Sequence, residues 1–169
     1  MTTAAETLRT AYDNIAAAVE SAVDGLTPEQ LATRPGPQAN SIAWLVWHLT
    51  RVQDDHVSEV AGREQTWTTG WADRFALPFA PEETGYGMST DDVAAVAGIG
   101  AELLLGYHRA VHQATDSFLT GLADDDLDRV VDESYDPPVT LGVRLVSVVT
   151  DDLMHAGQAA YVRGLLTAG

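Results

Sequence analysis

The sequence predicts an all-α protein, a four-helix up-and-down bundle with a long aromatic-rich loop between its second and third long helices. Two observations carry that expectation. Four long stretches place apolar residues three and four apart, the spacing that lines one side of a helix. Capping residues, glycines and prolines punctuate the boundaries of these stretches, and no segment alternates convincingly as a strand would. At 169 residues with 46 % hydrophobic content the chain suits one domain, spanning residues 1–169, with a core of its own.

Residues 4–24 carry Leu8, Tyr12, Ile15, Val19 and Val23 on one side, and Gly25 follows as a stop. Thr27-Pro28-Glu29-Gln30 has the form of a capping box with proline in the first turn, predicting a short helix. Arg34-Pro35-Gly36-Pro37 is a rigid break. The second long helix starts at Asn40 or Ser41, runs through Ile42, Leu45, His48, Val52 and His56, and reaches about Val60. Residues 62–88 read as a loop rich in glycine and proline that also holds Trp67, Trp71, Phe75, Phe79 and Tyr86. Such a loop either closes over a site or covers an exposed edge of the core. Ser89-Thr90-Asp91-Asp92 caps a third long helix expected to continue to about Leu122. Its inner stripe would be Val93, Val96, Gly100, Leu103, Tyr107, Val111, Ala114 and Phe118. A short acidic turn from Ala123 to Asp128 and an extended stretch from Val130 to Val139 lead to the last helix. That helix is capped by Thr140 and runs from Leu141 to about Leu166, with Gly164 and Gly169 at its fraying end.

The formal net charge is −16, from 25 acidic and nine basic residues. A surface this negative repels phosphate backbones and anionic lipid, so neither nucleic acid nor a membrane is an expected partner. No stretch is long and apolar enough to span a bilayer, and the first residues do not read as an export signal, so a cytoplasmic location is expected. The chain has no cysteine. Any metal would therefore be held by histidine nitrogen and carboxylate oxygen.

Five histidines are candidates. His108 and His112 sit four apart on the third helix, but the wheel puts His108 about 90° from its apolar stripe and His112 farther toward solvent. His155 falls on the inward part of the last helix, and Asp151 lies one turn before it. That spacing suits one Zn²⁺, Ni²⁺, Fe²⁺ or Mn²⁺ ion, and suits a buried acid–histidine hydrogen bond equally well. His48 lies in an apolar run and needs a polar partner or a metal to offset its desolvation. His56 is at least as central on the wheel, and periodicity does not choose between the two.

The segment Asn40-Ser41-Ile42-Ala43-Trp44-Leu45-Val46-Trp47-His48-Leu49, followed about a hundred residues later by Asp151-Asp152-Leu153-Met154-His155-Ala156-Gly157-Gln158, resembles the DinB-like superfamily. The likeness covers nearly the whole chain. It is closest to the actinobacterial branch of mycothiol-dependent enzymes, which includes mycothiol-dependent maleylpyruvate isomerase. The resemblance implies a four-helix bundle holding a divalent metal, zinc first among the candidates, with His48 as first ligand and His155 as last. The middle ligand is often histidine in the superfamily and glutamate in the isomerase-like branch. Here Asp151 stands in its place, one methylene shorter, with Asp152 or a bridging water as the alternative. Gln158 matches the signature glutamine and would support the ligands.

The expected function is a metal-dependent thiol S-transferase or isomerase, the metal activating mycothiol or a similar small thiol for attack on a small electrophile. Arg74 and Arg144 are candidates to hold an anionic substrate. A metal-dependent hydrolase and a non-catalytic, stress-response metal-binding bundle are the alternatives. The oligomeric state is left open by the sequence; bundles of this type often pair through exposed helix faces, which makes a homodimer one expected assembly.

Overall fold

The computed structural model describes residues 2–167, so the expected role of Gly169 at the helix end lies outside the described residues. The first helix, α1, spans Ala4–Val23 and begins with a capping box in which Thr3 and Glu6 satisfy each other's backbone N–H groups. The short α2 (Pro28–Ala32) is capped in the same way by Thr27 and Gln30. Of the two candidates to start α3 (Ile42–Ala61), Ser41 is the cap, its Oγ accepting from the Trp44 N–H at 3.2 Å. Gly62 ends α3 in the left-handed conformation that glycine adopts without strain.

The third expected helix is two. The Ser89/Asp92 capping box starts α5 (Thr90–Ala95), the chain breaks at residues 96–100 with Gly98 at φ 73°, and α6 runs from Ala101 to Thr120. The break resets the helical phase. Tyr107 and Val111 are buried as expected, but Leu104, Leu105, His108, Thr115 and Leu119 join them in place of Leu103, Ala114 and Phe118. His108 is therefore inside, not beside the stripe, at 2 % exposure. A 3₁₀ turn (Asp124–Asp128) and a two-stranded antiparallel pair, β1 (Val130–Asp132) with β2 (Val139–Thr140), lead into α7 (Leu141–Thr167).

The order of the long helices around the bundle differs from the simple up-and-down expectation. Arg9–Asp116 and Glu20–Arg109 ion pairs run α1 antiparallel to α6. Thr50–His108 and Gln53–Thr115 contacts make α3 parallel to α6. His56–Arg144 and the adjacent His48 and His155 rings set α3 antiparallel to α7. Tyr12 reaching the Leu145 carbonyl, and Arg163 the Ala22 carbonyl, leave α1 parallel to α7. The path is up, down, down, up, with α1 diagonal to α3 and α6 diagonal to α7. The physical reason is the connection between α3 and α6: a segment from 62 to 100 easily re-spans the roughly 30 Å of a 20-residue helix.

That returning segment is anchored to α3 rung by rung. The Asp54 carboxylate accepts from the backbone N–H groups of Thr66 and Trp67. Arg51, fully buried, donates to the carbonyls of Pro81 and Glu83. His48 meets the Thr84 carbonyl, and the Trp44 indole N–H meets Met88 sulfur. Successive partners on α3 thus run backwards as the segment runs forwards. Most of its aromatics cover the core: Trp67 and Phe75 pack on Tyr107, while Trp47 packs on Trp67 and Phe79. Its far end, at Thr84 to Tyr86, lies over His48.

Candidate metal centre

His48 and Trp44 lie one turn apart on α3, with their rings stacked at 4.6 Å. Across the α3–α7 seam stand Asp151 and His155, also one turn apart. The His48 and His155 rings are 4.8 Å apart, centre to centre, and nearly perpendicular. His155 Nε2 is 3.7 Å from Asp151 Oδ1. One donor atom from each of His48, Asp151 and His155 falls within 4.8 Å of the other two. His48 is buried, and Asp151 and His155 are half-buried.

Both imidazoles are oriented from behind. The Nδ1–H of His48 donates to the Thr84 carbonyl at 2.5 Å, leaving Nε2 with a free lone pair. The Nδ1–H of His155 donates to Gln158 Oε1 at 2.8 Å and leaves Nε2 toward Asp151. This is how metal-binding histidines are commonly held, with the outer nitrogen fixing tautomer and ring angle. Burial lowers the His48 pKa, opposed by the Thr84 carbonyl, and the neighbouring His155 lowers it further. Neutral imidazole is the form that coordinates. Asp151 Oδ2 is buried and has no hydrogen-bond partner. Two imidazoles and a carboxylate with an unused oxygen are a hard-to-borderline donor set, and they fit a divalent cation.

The alternatives separate in space. His56, the rival on α3, lies eight residues from His48 and meets Arg144 at 2.9 Å instead. Burial, with the Arg144 charge adding, lowers its pKa. Asp152 faces the interior: it is wholly buried, both its oxygens lack partners, and burial holds its pKa well above the ordinary carboxylate range. It is not among the clustered donors. His108 meets Thr50 on α3 and His112 meets Asp13 on α1, away from the α3–α7 seam.

Two clefts flank the cluster. One of about 350 Å³ is lined by Val52, His56, Tyr86, Ser147, Asp151 and Met154 among others. A second, of about 580 Å³, includes Asn40, Leu45, Met154, Gln158 and Tyr161. Arg144 stands beyond His56, two turns before Asp151, and is already engaged by Asp132 at 3.1 Å. Arg74 is exposed on the short helix α4 (Trp71–Phe75), stacked over Trp71, which packs on Tyr107 of α6. It lines neither cleft.

The sequence model of the mycothiol-S-transferase family matches residues 7–168. The chain belongs to that family. Among solved structures, the crystal structure of a conserved protein from Enterococcus faecalis superposes with a TM-score of 0.92 at 29 % identity, covering 100 % of both chains. The helical fold shared with that protein is the DinB-like bundle that the two motifs imply. No curated protein matches the chain. For this family member, no helix among the described residues is long and apolar enough to cross a membrane.

Three residues that shape the cluster carry no signal in helical periodicity: Thr84, Gly85 and Tyr86. Gly85 has φ 107° and packs its α-carbon against the His48 ring. Tyr86 meets the same ring edge-on at 5.2 Å. The one available hint was a glycine beside an aromatic within the long loop.

Proposed function

We propose that this family member is a divalent-metal-dependent thiol transferase or isomerase in which His48, Asp151 and His155 are the protein ligands. The observation that carries the reading is the convergence of three donors, two of them imidazoles whose outer nitrogens are tied back by Thr84 and Gln158. A bound Zn²⁺, or in its place Ni²⁺, Fe²⁺ or Mn²⁺, would lower the pKa of a thiol and favour the nucleophilic thiolate at neutral pH.

The chain's own residues supply the rest. Asp151 Oδ2, without a partner, is an acceptor for the thiol proton. Trp44 and Tyr86 flank the His48 ring on its face and edge and limit water there. Family membership favours mycothiol, or a small thiol like it, as cosubstrate. Gln158 lines the larger cleft and faces a thiol bound there; Arg144, near the smaller cleft, would draw in an anionic electrophile. Arg74, remote from both clefts, is left without a part in this reading. The chain contributes no cysteine, so the sulfur arrives with the cosubstrate. A thiol kept reduced inside the cell sets the enzyme in the cytoplasm.

The test joins elemental analysis of the purified protein to thiol consumption with a chromogenic electrophile. Metal-loaded protein should bind mycothiol by calorimetry and accelerate its transfer, and His48→Ala and His155→Ala should lose both metal and acceleration. Turnover of the electrophile without thiol would replace this reading by hydrolysis. Full metal loading with no turnover on a broad panel would leave a non-catalytic binder.

A further inference from the structure

His56 lies on the α3–α7 seam, and the metal centre leaves it unused. Its surroundings fix where its proton sits. Arg144 Nη1 is 2.9 Å from His56 Nδ1, and a guanidinium only donates hydrogen bonds. Nδ1 is therefore the acceptor, and the neutral ring carries its proton on Nε2. Asp55, the alternative partner of Nδ1, is 3.9 Å away, too far to accept from it. Burial, with the Arg144 charge adding, lowers the His56 pKa and keeps the ring neutral at neutral pH.

Arg144 is held from its other side. Its Nη2 donates to Asp132 Oδ2 at 3.1 Å, while the N–H and O–H of Ser134 donate to Asp132 Oδ1 at 2.9 and 2.6 Å. The turn after β1 thus orients a carboxylate, the carboxylate an arginine, and the arginine an imidazole.

The ring stands between two clefts. Arg144 and Asp132 line a polar one of about 480 Å³ together with Asp55 and Glu59. His56 also lines the 350 Å³ cleft that Asp151 lines, with Val52, Val148, Tyr86 and Met154 in its walls. Nδ1 is taken by Arg144. The Nε2–H has no partner among the described residues, on a side chain 25 % exposed, and is the donor left for a molecule in that cleft.

We infer that the His56 Nε2–H is the hydrogen-bond donor for the electrophile's oxygen, with Arg144 and Asp132 as positioning residues that hold it in that tautomer. The inference rests on the thiol-transfer reading above and names the electrophile's class: a carbonyl conjugated to a carbon–carbon double bond. Sulfur bonds to the β-carbon, the π pair moves through to the carbonyl oxygen, and the proton given up by the thiol ends on the α-carbon. Nothing leaves and no oxidant is needed. Negative charge gathers on the oxygen meanwhile, and a neutral imidazole N–H fixed in advance stabilises it. The Arg144 charge behind the ring strengthens that donor. An electrophile that merely expels a halide presents no such oxygen.

The test follows transfer of mycothiol by the zinc-loaded full chain to cyclohexenone, an uncharged conjugated ketone, and to benzyl bromide, which has no oxygen. The chain has no cysteine to compete for either. His56→Leu should lower kcat on the ketone by about 100-fold or more, the usual cost of removing one such donor. Zinc content and benzyl bromide turnover should stay as in the parent. His56→Gln keeps an N–H donor and should recover part of the loss. Equal losses on both electrophiles, or loss of zinc, would assign His56 to the fold or the metal centre and overturn the inference. No loss on either overturns it as well. Nitrogen NMR of the parent gives a readout free of turnover. It should show His56 protonated at Nε2, shifting toward Nδ1 in Arg144→Met, and the unreactive analogue cyclohexanone should perturb the Nε2–H signal. A parent that transfers thiol to neither electrophile sinks the proposed function. An Nδ1–H tautomer, or an Nε2–H signal indifferent to cyclohexanone, sinks this inference whatever the turnover.

Discussion

Gly85 presses its α-carbon so closely on His48 that a methyl group there would sit 2.5 Å from the imidazole Nδ1. Its φ of 107° is, in addition, a conformation that side chains disfavour. Gly85→Ala must therefore shift either the loop or the ring, and both break the Thr84–His48 hydrogen bond. Disturbing such an outer partner typically costs about 10–100-fold in metal affinity. A competitive chelator titration should show a loss of that size, with the helical signal retained; unchanged affinity would mean that the ring's orientation does not matter.

Asp151 and Asp152 adjoin in sequence and should behave oppositely. Asp151→Asn should lower metal occupancy sharply, since it weakens one of three donors. Asp152→Asn should leave occupancy intact and raise the thermal midpoint of metal-free protein at neutral pH. Burial raises the Asp152 pKa, so the folded state holds its proton where the unfolded state has lost it, and stability declines as pH rises above the ordinary carboxylate range. The amide removes that penalty. Loss of metal in Asp152→Asn alone would reassign the ligand.

His108 makes acid sensitivity run the other way. Burial, with His112 and Arg109 adding, lowers its pKa to about 3. Between the usual histidine value of about 6.5 and that value, the unfolded chain binds a proton that the folded chain refuses, so stability falls as pH falls. The slope from one such group is at most about 1.4 kcal/mol per pH unit. Urea unfolding of metal-free protein from pH 7 to pH 4 should show this decline, and His108→Gln should make it shallower. Equal slopes in the two proteins would place the acid sensitivity elsewhere.

Arg51 holds the carbonyls of Pro81 and Glu83 from a fully buried position beside Asp54. Lysine keeps the charge but not the planar fork. Arg51→Lys should cost roughly 2–3 kcal/mol in urea unfolding. It should also speed hydrogen exchange at residues 82–86 more than on α1. Uniform acceleration across the chain would assign Arg51 a general stabilising part rather than one in holding this loop.

Much of the fold was legible because its signals are local. Thr27, Ser41 and Ser89 cap helices through side chains that reach only three residues ahead, and their pattern is visible in one dimension. The break at residues 96–100 was missed because Ser89 through Phe118 keeps apolar residues at helical spacing across it. Only Gly98 and Gly100 mark the change of phase, and the burial of His108 followed from that reset.

The sequence by itself determined three of the four long amphipathic helices and the existence, though not the start or buried face, of the other; it also determined the absence of thiol ligands and two short motifs bearing His48 and the Asp151–His155 pair. Each of these depends on side-chain chemistry or on a spacing within about one turn. The tertiary structure decided the rest. The long return from α3 to α6 makes the path up, down, down, up and draws Thr84 and Gly85 over His48. The antiparallel register of α3 on α7 sets His48 opposite Asp151 and His155, and leaves His56 to Arg144. On α3 the two histidines are about 12 Å apart on similar faces, equivalent to any periodicity. They differ only in what the facing helix brings to each, and that register is a sum over the whole seam, which no local pattern encodes.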